Sequence, residues 1–159
     1  MKKGSVQGLP KPVVSDERVL TGRNRRLYRE WKRLDERLVY RKDIDYAITR
    51  LNTKGMPVQY RITYLIRSIC GVEKLERLDE PGVENTPLFA NSFQMQIDIP
   101  EDYPCMDALP SFRFLTCEED GSAIPYPWHP NIRYFGEFAG RVCLNAPDSY
   151  MDLVWYVER

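Results

Sequence analysis

The sequence predicts an α+β fold, with one amphipathic helix followed by several strands joined through short loops. Three observations carry this. Leu27, Trp31, Leu34 and Leu38 recur at steps of four, three and four, which places them on one helix face. Val58, Tyr60, Ile62, Tyr64 and Ile66 alternate with Gln59, Arg61, Thr63, Leu65 and Arg67, the period of a half-buried strand. Phe93, Met95, Ile97 and Ile99 alternate in the same way with Gln94, Gln96 and Asp98.

In chain order, residues 1–15 are rich in Gly and Pro and are expected as a flexible tail, leaving 16–159 as a single domain. Asp16 is expected to cap the first helix. Residues 43–52 are expected to add a helical turn or two, and Lys54-Gly55-Met56-Pro57 breaks the chain before the first strand. Cys70 to Leu78 is expected as a second strand, with residues 78–87 as a turn or loop. Pro100, Pro104 and Pro110 end the strand at 93–99, and Phe112 and Phe114 mark a short strand in "SFRFLT". The sum is an antiparallel meander with a helix on one face. Beyond Thr116 no period survives until about Ser149, and a long irregular stretch of this kind carries function or is disordered. Its Tyr126, Trp128, Tyr134 and Phe135 predict packing rather than disorder. "SYMDLVWYVER" then has helical spacing, with Asp148 or Ser149 as the expected cap.

The charges cancel, 23 Lys and Arg against 23 Asp and Glu, but they are unevenly spread. Residues 17–42 carry ten basic and four acidic side chains, whereas 73–120 carry three and twelve. A basic helix of this kind steers an acidic protein partner or binds nucleic acid. Aromatic stacking platforms are not interleaved with the arginines, which argues against nucleic acid. The other reading of Arg23, Arg26, Arg29, Arg33 and Arg37 is a solvated face paired with Glu30, Asp35 and Glu36. No apolar run is long enough to span a membrane, and "MKKGSVQGLPKPVV" lacks the apolar core of a signal peptide, so the expected location is the cytoplasm.

The four cysteines, Cys70, Cys105, Cys117 and Cys143, form no C-x-x-C pair and no common zinc spacing, so no metal or cofactor is expected. Cys70 and Cys117 lie in or at the end of strand patterns and are expected as core fillers. Cys105 sits in a proline loop. Cys143 follows Gly136 and Gly140 at the end of the irregular stretch, which also holds the only histidine, His129.

"HPNI" followed by "GRVCLN" resembles the active-site signature of ubiquitin-conjugating (E2) enzymes. "RRLYREWKRL" is similar to the family's amino-terminal helix, "FANSFQMQIDIPEDYP" to its third strand and tyrosine-proline turn, and "LPSFRFLT" to its fourth strand. These segments occur in the family's order from about residue 24 to 155. The resemblance implies a UBC-like fold in the cytoplasm and a transferase that uses no cofactor of its own. ATP would be used by a partner activating enzyme (E1), and Cys143 would carry a ubiquitin-like protein as a thioester before passing it to a target lysine. It implies further that Asn131 supplies an oxyanion donor or braces the loop and that His129 holds the loop; Cys105, from its place in the proline loop, is the runner-up nucleophile. Asp148 and Asp152 would be candidates for an acidic gate. Arg25, Arg26, Arg29 and Arg33 would dock the activating enzyme, and any ligase would bind the "DYPCMDALP" and "APDSY" loops.

The sequence departs from the family in three places. The loop between His129 and Cys143 is about four residues longer than usual, the tryptophan-x-proline after the cysteine is replaced by "APDSYMD", and the chain ends sixteen residues beyond Cys143. These departures imply a truncated or compact member, of the kind expected among prokaryotic conjugation operons, some linked to antiviral defence in bacteria. The alternative is an inactive E2-variant or RWD-like module that binds a ubiquitin-like protein without chemistry.

Overall fold

The computed structural model describes residues 7–105, 108–144 and 152–158. A single-turn 3-10 helix, Glu17–Val19, precedes α1, Gly22–Leu38. Strands β1, Ile44–Leu51, and β2, Pro57–Tyr64, follow. Next come β3, Ser68–Val72, and β4, Pro87–Ala90. Then β5, Phe93–Asp98, β6, Ser111–Phe114, and α2, Leu153–Val157, complete the order. The architecture is α+β: a helix near the start of the chain, a four-stranded antiparallel sheet in the order β1-β2-β5-β6, and a short helix late in the chain. Strands β3 and β4 form a separate two-stranded sheet, inserted between β2 and β5.

The helix forms where the spacing placed it. Leu27, Trp31, Leu34 and Leu38 are all buried, and α1 packs with them against β1, β2 and α2. In the sheet, Tyr60 and Ile62 of β2 pair with Ile97 and Met95 of β5, and all four are buried. Their polar alternates point the other way, as period-two strands require. Leu153, Tyr156 and Val157 of α2 enter the same core.

Several expectations are corrected. Residues 44–51 are a strand, not helical turns. Ile44 and Ile48 are buried, and backbone pairing with β2 outweighs the weak local preference of the segment. β2 stops at Tyr64, and Leu65 and Ile66 beyond it are exposed. The strand expected over 70–78 runs instead over 68–72, and Leu75–Arg77 is a 3-10 turn. Its partner β4 lacks an alternating apolar signal, and only pairing with β3 makes it a strand. Asp16 caps the 3-10 turn through Arg18 N–H, at 2.9 Å, rather than α1, whose Thr21 makes no side-chain cap bond. Asp152 caps α2 by accepting from Trp155 N–H at 3.1 Å. Asp148 and Ser149, the expected caps, lie outside the described residues.

Part of the segment expected as a tail lies against the fold. Leu9 N–H donates to the Ile48 carbonyl at 2.8 Å, alongside β1, and Val14 packs on the core. Lys11 pairs with Asp35 at 2.5 Å, and Tyr46 O–H donates to the same carboxylate oxygen at 2.6 Å. Among the described residues no helix is long and apolar enough to cross a membrane.

Candidate functional site

The structure brings His129, Asn131 and Cys143 together through the backbone. Ile132 N–H donates to the His129 carbonyl at 2.9 Å, closing a turn over "HPNI". Inside that turn Asn131 N–H donates to His129 Nδ1 at 3.1 Å. The imidazole nitrogen is the acceptor in that bond. Cys143 N–H in turn donates to the Asn131 carbonyl at 2.7 Å, and Ile132 and Val142 form an antiparallel bridge. Asn131 and Ile132 are thus paired edge to edge with Cys143 and Val142.

The cysteine-bearing segment is also tied to the sheet. Phe114 N–H donates to the Gly140 carbonyl at 2.8 Å, and Val142 N–H donates to the Phe112 carbonyl at 3.0 Å. Residues 140–142 therefore cover part of the β6 edge, whose backbone groups would otherwise face solvent. Gly140 is required for this approach. Its φ is +82°, and a Cβ there would stand 2.1 Å from the Phe114 carbonyl oxygen.

Between the two phrases, the loop closes on itself. Arg133 N–H donates to the Arg141 carbonyl at 3.0 Å, and Gly140 N–H donates to the Arg133 carbonyl at 2.7 Å. Arg113 of β6 holds the tip from the sheet side. Its Nε donates to the Ala139 carbonyl at 3.1 Å, and its Nη2 donates to the Glu137 carbonyl.

The small sheet braces the start of the loop. Trp128 N–H donates to the Ile69 carbonyl at 2.9 Å, and Tyr134 O–H donates to the Cys70 carbonyl at 2.7 Å. The Tyr134 ring lies 5.0 Å from Tyr126 and 5.8 Å from Trp128, within the range of favourable ring pairs. These three rings are half-buried, as expected, but Phe135 is 70% exposed and Phe138 is 51% exposed. The expectation that Phe135 packs inside is therefore corrected. Gly136 starts a single 3-10 turn that faces solvent and leaves both phenylalanine rings on the surface.

All four cysteines are free thiols. Cys143 and Cys105 are exposed, Cys70 is half-buried, and Cys117 is exposed rather than a core filler. Cys117 lies in an isolated bridge with Ala123 outside the main sheet, where no core exists to fill. A groove of about 570 Å³ opens beside Cys143, lined by Arg133, Phe135, Phe138, Arg141, Val142 and Leu144. Among the described residues, no hydrogen-bond partner is found for the Asn131 side-chain amide, which is exposed near the paired backbone. Among the described residues no group of three or more metal-ligating side chains occurs.

The expected docking arginines of α1 all have partners within the chain. Arg25 Nε donates to the Leu20 carbonyl at 2.7 Å. Arg26 pairs with buried Glu30 at 2.7 Å and shares it with Tyr103. Arg29 pairs with Glu17, and Arg33 with Asp152 at 3.1 Å. The acidic partners are thus mostly distant in sequence, and not the neighbours Asp35 and Glu36. Asp152, a candidate gate, has one carboxylate oxygen on Arg33 and the other capping α2. Asp148, the other candidate, lies outside the described residues.

The groove residues Arg133, Phe138 and Arg141 and the clamp Arg113 are not singled out by the sequence, and Phe135 is singled out only as a packed ring. The signal available was local: two arginines and two phenylalanines separated by two glycines, in a loop too short to bury them. Compared with family models, curated proteins and solved structures, the chain matches none.

Proposed function

We propose that this chain is an E2-type conjugating enzyme of UBC-like fold that carries a ubiquitin-like protein on Cys143. The observation that carries the reading is the edge-to-edge pairing of Asn131 and Ile132 with Cys143 and Val142 around an exposed, unpaired thiol. A thioester carrier needs a reachable sulfur on a fixed backbone, and Cys143 has both attributes.

In the first step the Cys143 thiolate attacks the thioester carbonyl presented by an activating enzyme. A new carbon–sulfur bond forms, the old one breaks, and the departing thiolate takes up a proton. A free cysteine is a few per cent thiolate at neutral pH, which suffices because the incoming carbonyl is already activated. In the second step a target amine attacks the Cys143 thioester, an oxyanion develops, and the Cys143 thiolate leaves as the amide forms. The Asn131 amide, with no partner of its own among the described residues, is the donor for that oxyanion. His129 acts on the backbone of the turn and not on the substrate. Asp148 and Asp152 are the candidates for accepting the amine proton, and Asp152 would do so beside its bonds to Arg33 and the Trp155 N–H. The arginines of α1 then serve an acidic activating enzyme only by exchanging their internal partners, and for Arg33 that means releasing Asp152.

The test is a charging assay with an activating enzyme of proven activity, a ubiquitin-like protein and ATP, resolved with and without reductant. A reductant-sensitive adduct is expected, absent in Cys143→Ala and replaced by a reductant-resistant one in Cys143→Lys. Charging that survives Cys143→Ala would move the nucleophile to Cys105. No adduct in the parent chain would overturn the enzyme reading in favour of a binding module.

A further inference from the structure

The groove beside Cys143 has a chemical character that the thiol chemistry does not require. Two guanidinium groups, Arg133 and Arg141, and two exposed rings, Phe135 and Phe138, line it together with the cysteine. Neither arginine side chain has an ion-pair partner among the described residues, in contrast to Arg26, Arg29 and Arg33 of α1. Arg141 stands over the Phe138 ring, 5.9 Å from its centre, at the outer limit of a cation–π contact. Such a contact orients the guanidinium and leaves its hydrogen-bonding edge open. Glu137, the sole carboxylate in residues 133–144, is not among the groove-lining side chains, and its carbonyl is held by Arg113. The backbone of the loop is fixed on both sides, so the two arginines project from a rigid frame.

We propose that this groove selects an acyl donor whose carboxyl-terminal tail carries one or two acidic side chains just before the reacting carbonyl. This deepens the conjugating reading and rests on it for the acyl transfer, though not for the binding. A carboxylate on the tail meets Arg133 or Arg141 in a paired, directional contact. The tail's apolar stem lies on Phe135 and Phe138, and its carbonyl reaches Sγ of Cys143. Both arginines are exposed, so the selection is moderate and weakens with salt.

The experiment uses synthetic fluorescein-labelled peptides with the sequence Xaa-Xaa-Gly-Gly, where Xaa is Glu, Gln or Arg. Each is made as a thioester of one neutral thiol and as a carboxamide. The carboxamides are titrated into Cys143→Ala and followed by anisotropy, which reads the groove without the chemistry. The thioesters are mixed with the parent chain and followed by transfer of the label to protein. The Cys143 thiolate displaces the neutral thiol, which leaves as a thiolate and is protonated.

The Glu peptide is expected to bind and to charge about two- to tenfold better than the Gln peptide at low salt, the range for one or two exposed ion pairs, with the Arg peptide weakest. The difference should shrink in 0.5 M salt. Arg133→Glu with Arg141→Glu should reverse the order. Equal behaviour of the three peptides, or preference for Arg, overturns the proposal. Selective anisotropy without label transfer keeps the acidic-tail site but counts against the thioester reading. Label transfer without selectivity does the opposite.

Discussion

The core and the thiol-bearing loop of this chain are held by different forces. The face of α1 and the paired strands β2 and β5 contribute side chains that are almost wholly buried, among them Leu34, Tyr60, Ile62 and Ile97. The segment from 129 to 144 contributes almost none. Its order comes from backbone hydrogen bonds within itself and to β6, the Tyr134 hydroxyl on β3, one arginine clamp and a cluster of half-buried rings. Apolar burial makes the first region costly to alter. In the second, side chains can change at little cost in stability so long as the backbone bonds survive, which is the latitude a site requires.

The contrast breaks most strongly at a buried leucine. Leu34→Ala should cost about 2–5 kcal/mol through lost burial and the cavity left behind, read as a shift in a urea unfolding midpoint. In the loop, a comparable loss is expected only where backbone is displaced. Gly140→Ala places a Cβ against the Phe114 carbonyl in a left-handed conformation, so a loss of about 1–3 kcal/mol is expected, with Cys143 moved as well. If Gly140→Ala is neutral in unfolding and in thiol reactivity, the loop is not fixed to β6 in solution.

Asn131→Ala sharpens the comparison from the other side. Amine discharge should slow by about a hundred- to a thousandfold while charging and stability hold. An equal loss in both steps would mean that the residue only braces the turn. Arg37→Ala removes an exposed partner of Glu158 and should change stability by less than about 1 kcal/mol.

The smallest effect concerns pH. Burial pushes the Asp35 carboxyl up, but the hydrogen bonds from Lys11 and Tyr46 outweigh it and hold it below its ordinary value. A carboxylate depressed on folding adds stability above its unfolded value, about 3.9, and that part is lost as pH falls through the folded value. Asp35→Asn should therefore flatten the acid limb of the stability curve slightly, measured by thermal unfolding between pH 2 and 5.

The same division sets what was legible in the sequence. Leu27 to Leu38 and Phe93 to Ile99 announce themselves because burial imposes a period on the side chains. Ile44–Leu51 is not legible as a strand because its strand character depends on pairing with β2, and a short segment with two buried residues reads equally well as helix. Strand β4 was invisible for the same reason: its residues face solvent and only pairing defines it. At the site, His129, Asn131 and Cys143 were legible as a phrase. The groove was not, because Arg133 and Arg141 become neighbours only when their backbones pair across the loop.

The meeting of α1 and α2 bears on synthesis as well as stability. Glu30 is buried in α1, and one of its oxygens accepts from Leu153 N–H at 3.3 Å, while Leu153, Tyr156 and Val157 close the core over that helix. A ribosome makes Leu38 well before Leu153, by roughly 6–23 s at about 5–20 residues per second. Throughout that interval the nascent helix lacks its last neighbour, and the part of its apolar face that α2 covers stays open. The contact between Glu30 and Leu153 therefore forms only after nearly the whole chain has been made.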